Sequence, residues 1–108
     1  IVDRIKDMII RGGENIYPKE IENVLYDDPA VLEASVVGGP DPLYGEVVVA
    51  FVAPVPDGEI DVEALTERCR ANLTKIKVPV AIHVLEALPK NPVGKIDKPA
   101  LRARLAGE

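Results

Sequence analysis

The sequence is poor in the residues that mark several large classes of protein. A single cysteine, Cys69, among 108 residues excludes an internal disulfide and gives no sign of a secreted, disulfide-stapled domain. No apolar run approaches the roughly 20 residues that a membrane helix needs, and the first residues lack the layout of a signal peptide. The 13 Lys and Arg residues are outnumbered by 18 Asp and Glu residues, which argues against a general nucleic-acid-binding protein. These absences predict one soluble domain, residues 1–108, located in the cytoplasm.

Residues for self-contained catalysis are also scarce. The only serine, Ser35, does not lie in a Gly-x-Ser-x-Gly motif, and the only histidine, His83, has no acidic or cysteine partner nearby in the sequence. No His and Cys residues have the spacing of zinc ligands. A self-contained hydrolase or metalloenzyme is therefore not expected. The chain is also too short to hold a deep substrate pocket beside a separate cofactor site, so a large-substrate enzyme would be represented here only in part.

The charges that are present are divided unevenly along the chain. Residues 1–74 contain six basic and fifteen acidic residues, a balance of 6 − 15 = −9. Residues 75–108 contain seven basic and three acidic residues, a balance of 7 − 3 = +4. A group that binds phosphate is therefore expected in the last third of the chain.

The apolar pattern predicts alternating strands and helices. Pro18 suits the first turn of a helix, and Asp61 and Asp97 suit the N-caps of two more. Gly38 and Pro40 predict that the strand before them ends by Val37. Strands are predicted at residues 8–10, 31–37, 46–52 and 80–85. The fold class is thus predicted to be α+β, with a central sheet of about three strands, a short two-stranded hairpin at the N-terminus and about three helices.

A pair of glycines, Gly12 and Gly13, precedes Glu14, Asn15 and the helix that is expected to begin at Pro18. Paired glycines let a backbone approach a ligand closely, and a neighbouring helix N-terminus favours anions. A Gly-Gly turn between a strand and a helix is, however, more often only a turn. Taken alone, this stretch leaves both interpretations open.

A lysine in the cationic third, Lys95, follows Asn91-Pro92-Val93-Gly94 on a segment whose prolines and glycine disfavour a helix or strand. On a stiff, exposed loop, a lysine is a point charge that can be delivered to a phosphate or a carboxylate. The segment is not a P-loop, because that pattern would need glycine at Pro89 and Ser or Thr at Ile96. For any single lysine, a solvated surface position is the commoner alternative.

Taken together, the two stretches resemble a known family. The runs DRIKDMIIRGGENIYPKEIE at residues 3–22 and LPKNPVGKIDKPALR at residues 88–102 are similar to two signature motifs of the adenylate-forming superfamily. Both motifs lie in its small C-terminal domain. The superfamily includes acyl-CoA synthetases, aryl-CoA ligases, firefly-type luciferases and the adenylation domains of peptide synthetases. The resemblance extends over the whole chain, including KIKVP at residues 75–79.

The resemblance implies a mobile lid. In this family a large N-terminal domain binds ATP and a carboxylic acid, and the C-terminal domain rotates over it. The first step forms an acyl-adenylate and pyrophosphate, and the second transfers the acyl group to a thiol, commonly that of CoA. By this resemblance the partners are the chain's own N-terminal domain, a fatty or aromatic acid and CoA, with ATP and CoA as substrates and Mg²⁺ in the full-length enzyme. We expect the isolated domain to be inactive and to bind no cofactor alone.

Three basic residues take on roles by resemblance. Lys95 corresponds to the catalytic lysine that contacts the substrate carboxylate and the α-phosphate of the nucleotide during adenylation. Lys6 corresponds to the hinge residue whose backbone torsions change between the two states. Arg4 corresponds to a residue that contacts the nucleotide ribose.

The glycine turn also takes on a role by resemblance. Gly12, Gly13 and Glu14 correspond to the loop that lines the pantetheine tunnel, with Gly13 where a side chain would block passage. Asn15 corresponds to a position at which some relatives contact a phosphate. The resemblance assigns no residue of this chain to a metal.

The thiol acceptor is left open by the sequence. Some CoA ligases have basic or aromatic CoA contacts before the last strand, where this chain offers Val78 and Val80, with Lys75 and Lys77 as the only local cations. CoA is therefore implied by the family rather than by these residues. The alternatives are the lid of a peptide-synthetase or carrier-protein-loading adenylation enzyme, and a non-catalytic binding module.

Overall fold

The computed structural model describes residues 8–105, which form three helices and one five-stranded sheet. The strands are β1 (Ile9–Arg11), β2 (Glu14–Ile16), β3 (Val31–Asp41), β4 (Gly45–Pro54) and β5 (Ala81–Val84). The helices are α1 (Pro18–Tyr26), α2 (Val62–Asn72) and α3 (Lys98–Leu105), and a short 3-10 helix spans Lys75–Lys77. The predicted α+β class with three helices and an N-terminal hairpin is confirmed. The hairpin β1–β2 joins the main sheet instead of standing apart from it.

Strand β4 is the centre of the sheet. It pairs antiparallel with β3 along its length, while its other edge pairs with β1 at Gly45 and runs parallel to β5 from Val49 to Val52. Its nearly continuous apolar run predicts a strand that is covered on both faces, and residues 47–53 are all buried. The alternation of side chains along β4 therefore divides the core into two layers.

One layer contains Val48, Ala50 and Val52 of β4 and packs against α1 and α2. The other contains Val47, Val49, Phe51 and Ala53 and packs against Leu101 of α3 and against Leu88 in the segment before the helix. Leu65 of α2 and Leu101 of α3 are fully buried, which for a leucine is worth roughly 1.5–3 kcal/mol each. Helices on both faces thus hold the sheet as a rigid support for the loops at its ends.

The predicted helix starts are confirmed. Pro18 occupies the first turn of α1, where its missing N–H leaves no hydrogen bond unmade. Asp61 Oδ1 accepts a hydrogen bond from the backbone N–H of Ala64 at 3.2 Å and caps α2. Asp97 Oδ1 accepts from the N–H of Ala100 at 3.1 Å at the start of α3.

The predicted end of the strand at residues 31–37 was wrong, because β3 continues through the glycines and Pro40 to Asp41. β3 lies at the sheet edge, and the N–H groups of Ala34 and Val36 point away from β4, towards side chains of α1. By the alternation of an antiparallel ladder, the nitrogen of Pro40 faces the same outer side. Proline is tolerated there because no ladder hydrogen bond needs its missing N–H.

Among the described residues no helix is both long and apolar enough to cross a membrane. The predicted cytoplasmic location stays a prediction.

Candidate functional site

The loop that carries Lys95 is an ordered hairpin, which we define as residues 89–97 and call the Lys95 hairpin. Lys90 and Ile96 form a β-bridge, and the N–H of Asn91 donates to the carbonyl of Lys95 at 2.8 Å. Asn91 Oδ1 accepts from the N–H groups of Val93 at 3.1 Å and of Lys95 at 3.0 Å. Asparagine side chains stabilise tight turns in this way. The Lys95 side chain is exposed on this closed turn.

Two carboxylates from outside the hairpin hold its two stems. Glu33 of β3 forms an ion pair with Lys90 and accepts a hydrogen bond from the N–H of Leu88 at 3.2 Å. Glu22 of α1 forms an ion pair with Lys98 at 3.0 Å, just after the hairpin ends. The hydrogen bond from Lys90 holds the pKa of Glu33 below its ordinary value, because it outweighs the opposing effect of burial.

The Gly12-Gly13 pair forms the turn between β1 and β2. Both residues have positive φ, +56° and +89° respectively, which only glycine adopts readily. The N–H of Gly12 donates to the carbonyl of Tyr44 at 2.9 Å, and the Arg11 guanidinium lies 3.9 Å from the centre of the Tyr44 ring. The turn is therefore fixed against the β3–β4 connection.

Gly13 faces open space. A Cβ added there would meet no heavy atom within 4 Å, whereas one added at Gly12 would lie 3.3 Å from Tyr44 Cδ1. Glu14 and Asn15 are exposed on β2, where Asn15 pairs with Ile10 of β1. These four residues thus form one solvent-facing tip. Arg4 and Lys6 lie outside the described residues.

A cationic groove of about 560 Å³ begins beside this tip. Arg11 lines it, together with Arg70 at the end of α2 and Lys75 of the 3-10 helix. Its apolar wall consists of Leu73, Val78 and Val80. The sequence offered only Lys75 and Lys77 near this segment, but Lys77 pairs with Glu20 at 2.9 Å. The arginines come from distant parts of the chain, so sequence spacing gave no signal for them.

The strand that anchors the Lys95 hairpin holds it at a point far along the sheet from the glycine turn. Glu33, which anchors the Lys95 hairpin, pairs in the sheet with Ala53, whereas Arg11 beside the glycine turn pairs with Gly45. The strand between Gly45 and Ala53 spans about 27 Å at the usual rise per residue. The hairpin's anchor and the glycine turn therefore lie at opposite ends of β3–β4.

Cys69 and His83 are packed against other residues in ways that do not suit a reactive group. Cys69 is buried, and this burial raises the pKa of its thiol, which is the opposite of what a reactive cysteine needs. His83 stacks on Phe51 with ring centroids 5.1 Å apart. Within residues 8–105, no three His, Cys, Asp or Glu side chains converge on a point that could hold a metal ion. The Mg²⁺ expected from the resemblance stays a prediction.

Comparison with known proteins decides the family. Residues 20–95 match the family described as the AMP-binding enzyme C-terminal domain. The chain belongs to this family. The match includes Lys95 and the whole cationic groove except Arg11.

Close relatives of this AMP-binding C-terminal domain are ligases. The chain is 45% identical over 102 residues to a long-chain fatty acid–CoA ligase of Mycobacterium tuberculosis, covering 94% of the chain and 20% of that protein. It is 47% identical over 104 residues to a feruloyl-CoA synthase of an Amycolatopsis species, covering 96% and 21%. It is 44% identical over all 108 residues to a fatty acid–[acyl-carrier-protein] ligase of Streptomyces coeruleorubidus, covering 21% of that protein.

Solved structures have the same fold. A fatty acyl-CoA synthetase of Mycobacterium tuberculosis superimposes with a TM-score of 0.86 at 44% identity, over 94% of this chain and 20% of that one. The o-succinylbenzoate-CoA synthetase of Bacillus subtilis, solved with its acyl-adenylate intermediate, gives 0.83 at 40% identity, over 99% and 21%. The chain thus spans about a fifth of the length of the relatives it matches.

Proposed function

We propose that this chain is the mobile C-terminal lid of an ATP-dependent carboxylic acid:CoA ligase. The enzyme would form an acyl-adenylate with release of pyrophosphate and then a thioester with CoA. The acid would be fatty or aromatic, in line with the relatives, and ATP and the acid would bind to an N-terminal domain outside this chain. Lys95 would be the catalytic residue that this chain contributes.

The exposed Lys95 on an ordered hairpin, in a domain of this family, carries the proposal. Adenylation brings together two anions, the acid carboxylate and the α-phosphate of ATP. An ammonium placed between them offsets their repulsion and stabilises the charge that develops as the new bond forms. Asn91 supports this role because its side chain fixes the backbone on which Lys95 stands.

The separation of the two sites fits a two-step reaction. A lysine needed for adenylation has to leave before a thiol can reach the same carbonyl. The glycine turn lies at the other end of β3–β4 from the hairpin's anchor, about 27 Å away by strand length. A rotation of the lid would therefore exchange one site for the other. Lys6 would be the hinge of this rotation, and Arg4 would lie near the nucleotide. The pantetheine arm would pass Gly12, Gly13 and Glu14, and Asn15 would lie beside a phosphate.

The cationic groove favours CoA as the acceptor. Arg11 links the groove to the glycine turn, so a pantetheine arm passing Gly13 would lead its phosphates towards Arg70 and Lys75. CoA carries a phosphorylated adenosine diphosphate at that end, whereas a carrier-protein arm carries a single phosphodiester. The alternative acceptor, a carrier protein, is favoured by the relative that acts on an acyl-carrier-protein.

The proposal is tested by Lys95→Ala in the full-length enzyme. We expect adenylation, measured as ATP–pyrophosphate exchange, to fall on the order of 10²- to 10³-fold. Thioester formation from a supplied acyl-adenylate should be largely unchanged. The control is Lys77→Ala. Lys77 also belongs to the cationic third of the chain, but it is paired with Glu20. Equal loss in both half-reactions would contradict the role of Lys95. ATP–pyrophosphate exchange by the isolated 108-residue domain would contradict the proposal that this chain is a lid that depends on a separate N-terminal domain.

The acceptor is tested separately with Arg70→Ala and Lys75→Ala. If CoA phosphates occupy the groove, these variants should raise the KM for CoA but not that for pantetheine, which lacks the nucleotide. Efficient transfer to a loaded carrier protein and poor transfer to CoA in the unmodified enzyme would instead favour the alternative.

A further inference from the structure

The Lys95 hairpin is attached to the body of the domain by one ion pair on its incoming stem and a second at Lys98, the first residue after it. On the incoming stem, the Glu33 carboxylate binds Lys90 and the N–H of Leu88, and the Lys90 ammonium also donates to the Leu88 carbonyl at 3.2 Å. On the outgoing side, the Glu22 carboxylate binds Lys98 at 3.0 Å. We call these two ion pairs the hairpin clamp.

Both halves of the clamp are fixed to the same strand. Glu33 is part of β3, and Glu22 accepts a hydrogen bond from the N–H of Val36 of β3 at 2.9 Å. β3 in turn forms a long antiparallel ladder with the central strand β4. The orientation of the hairpin is therefore tied to the long β3–β4 ladder.

The two halves of the clamp differ in exposure, since the Glu33 and Lys90 side chains are 20% and 36% exposed and the Glu22–Lys98 pair is the more shielded one. The Glu22 and Lys98 side chains are 15% and 19% exposed, whereas those of Glu67 and Arg70 on α2 are 70% and 60% exposed. Ion pairs with little solvent contact are screened less, and loss of one partner leaves the other charge uncompensated. The clamp is thus able to restrict the hairpin, which an exposed pair would do only weakly.

We propose that Glu22 and Glu33 are positioning residues that fix the orientation of the Lys95 hairpin for adenylation by pairing with Lys98 and Lys90. This inference rests on the proposed function of Lys95. In this proposal neither Glu22 nor Glu33 touches the substrate. The hydrogen bonds of Asn91 shape the hairpin, and the clamp sets where the shaped hairpin points. The effect is expected in the rate of adenylation, because a displacement of about 1 Å at a reacting group costs on the order of 100-fold.

The first test measures the hairpin in the 108-residue chain itself. In Glu22→Gln and Glu33→Gln, we expect ¹⁵N order parameters of the Val93, Gly94 and Lys95 amides to fall from about 0.85 towards 0.6 or less, while those of β3 and β4 stay unchanged. The matched control is Glu20→Gln. It removes a carboxylate from the same helix and breaks its ion pair with Lys77 of the 3-10 helix, which lies outside the hairpin.

The second test measures catalysis in the full-length enzyme. Each Gln variant should lower the kcat of ATP–pyrophosphate exchange on the order of 10-fold and the double variant about 100-fold, with the KM values for ATP and acid unchanged. Thioester formation from supplied acyl-adenylate should be unchanged. Lys90→Arg and Lys98→Arg keep the charge and should retain activity, whereas Lys90→Met and Lys98→Met should lose it. A merely structural role would lower both half-reactions together.

Three outcomes would overturn the inference, and each is distinguishable from failure of the proposed function. Unchanged order parameters in both Gln variants would show that the clamp does not restrict the hairpin. A loosened hairpin with normal exchange activity, in an enzyme that Lys95→Ala inactivates, would refute positioning while leaving the role of Lys95 intact. Equal loss in Glu20→Gln would show that the effect is not specific to the clamp. Normal adenylation in Lys95→Ala would instead refute the proposed function and, with it, the catalytic half of this inference.

Discussion

Gly13 offers a test in which backbone strain and side-chain bulk can be separated. Its φ of +89° is a conformation that L-residues rarely adopt, so any side chain there costs about 1–2 kcal/mol of stability. Because no heavy atom lies within 4 Å of an added Cβ, no clash inside the domain increases this cost. Gly13→Ala and Gly13→Leu should therefore lose the same stability, within about 0.5 kcal/mol.

The two variants should differ in function if the turn lines a pantetheine passage. Leucine adds bulk that alanine lacks, and forcing such bulk into an occupied space typically costs about 1–3 kcal/mol, which is on the order of 10- to 100-fold in rate. We expect Gly13→Leu to slow thioester formation by about this factor relative to Gly13→Ala. Adenylation should be alike in the two variants, because the turn lies at the other end of β3–β4 from the anchor of the Lys95 hairpin.

The assays are urea unfolding of the 108-residue domain and single-turnover thioester formation from a supplied acyl-adenylate in the full-length enzyme. Gly12→Ala is a useful contrast, because its Cβ would lie 3.3 Å from Tyr44 and disturb the ring over which Arg11 lies. Equal thioester rates for Gly13→Ala and Gly13→Leu would refute the tunnel role. A much larger loss of stability for leucine than for alanine would refute the claim that Gly13 faces open space.

Other predictions concern stability and can be measured on the isolated domain. The pKa of Glu33 is lowered in the folded state, so its ion pair with Lys90 contributes fully above the ordinary carboxyl pKa and is lost as pH falls through the folded value. The difference in the free energy of unfolding between the wild type and Glu33→Gln should therefore be present at about pH 7 and shrink as the pH falls below the ordinary carboxyl pKa; a constant difference would contradict this. Asp61→Ala removes the acceptor that caps α2 and should cost about 1 kcal/mol in urea unfolding, whereas Glu59→Ala, at an exposed carboxylate just before the cap, serves as a comparison. Asn91→Ala should speed amide exchange at Val93 and Lys95, because both N–H groups lose their side-chain acceptor, and unchanged exchange would show that the turn closes without it.

Local chemistry made the elements predictable. Pro18, Asp61 and Asp97 mark helix starts because each acts on the first turn of its own helix, within a few residues. The apolar run of β4 likewise reports burial on both faces without reference to any partner. The end of β3 was not predictable in this way, because Pro40 is acceptable only where its nitrogen faces the outer edge of the sheet.

The sequence by itself determined which residues are chemically able to act, namely a lysine after glycine and a glycine pair, since those properties belong to the residues and their immediate neighbours. Only the tertiary structure decided where they stand. The pairing of Glu33 with Lys90 and of Glu22 with Lys98, and the meeting of Arg11 with Arg70 and Lys75, join parts of the chain far apart in sequence. Such contacts depend on how the helices and strands pack across the sheet, and no local pattern records that packing.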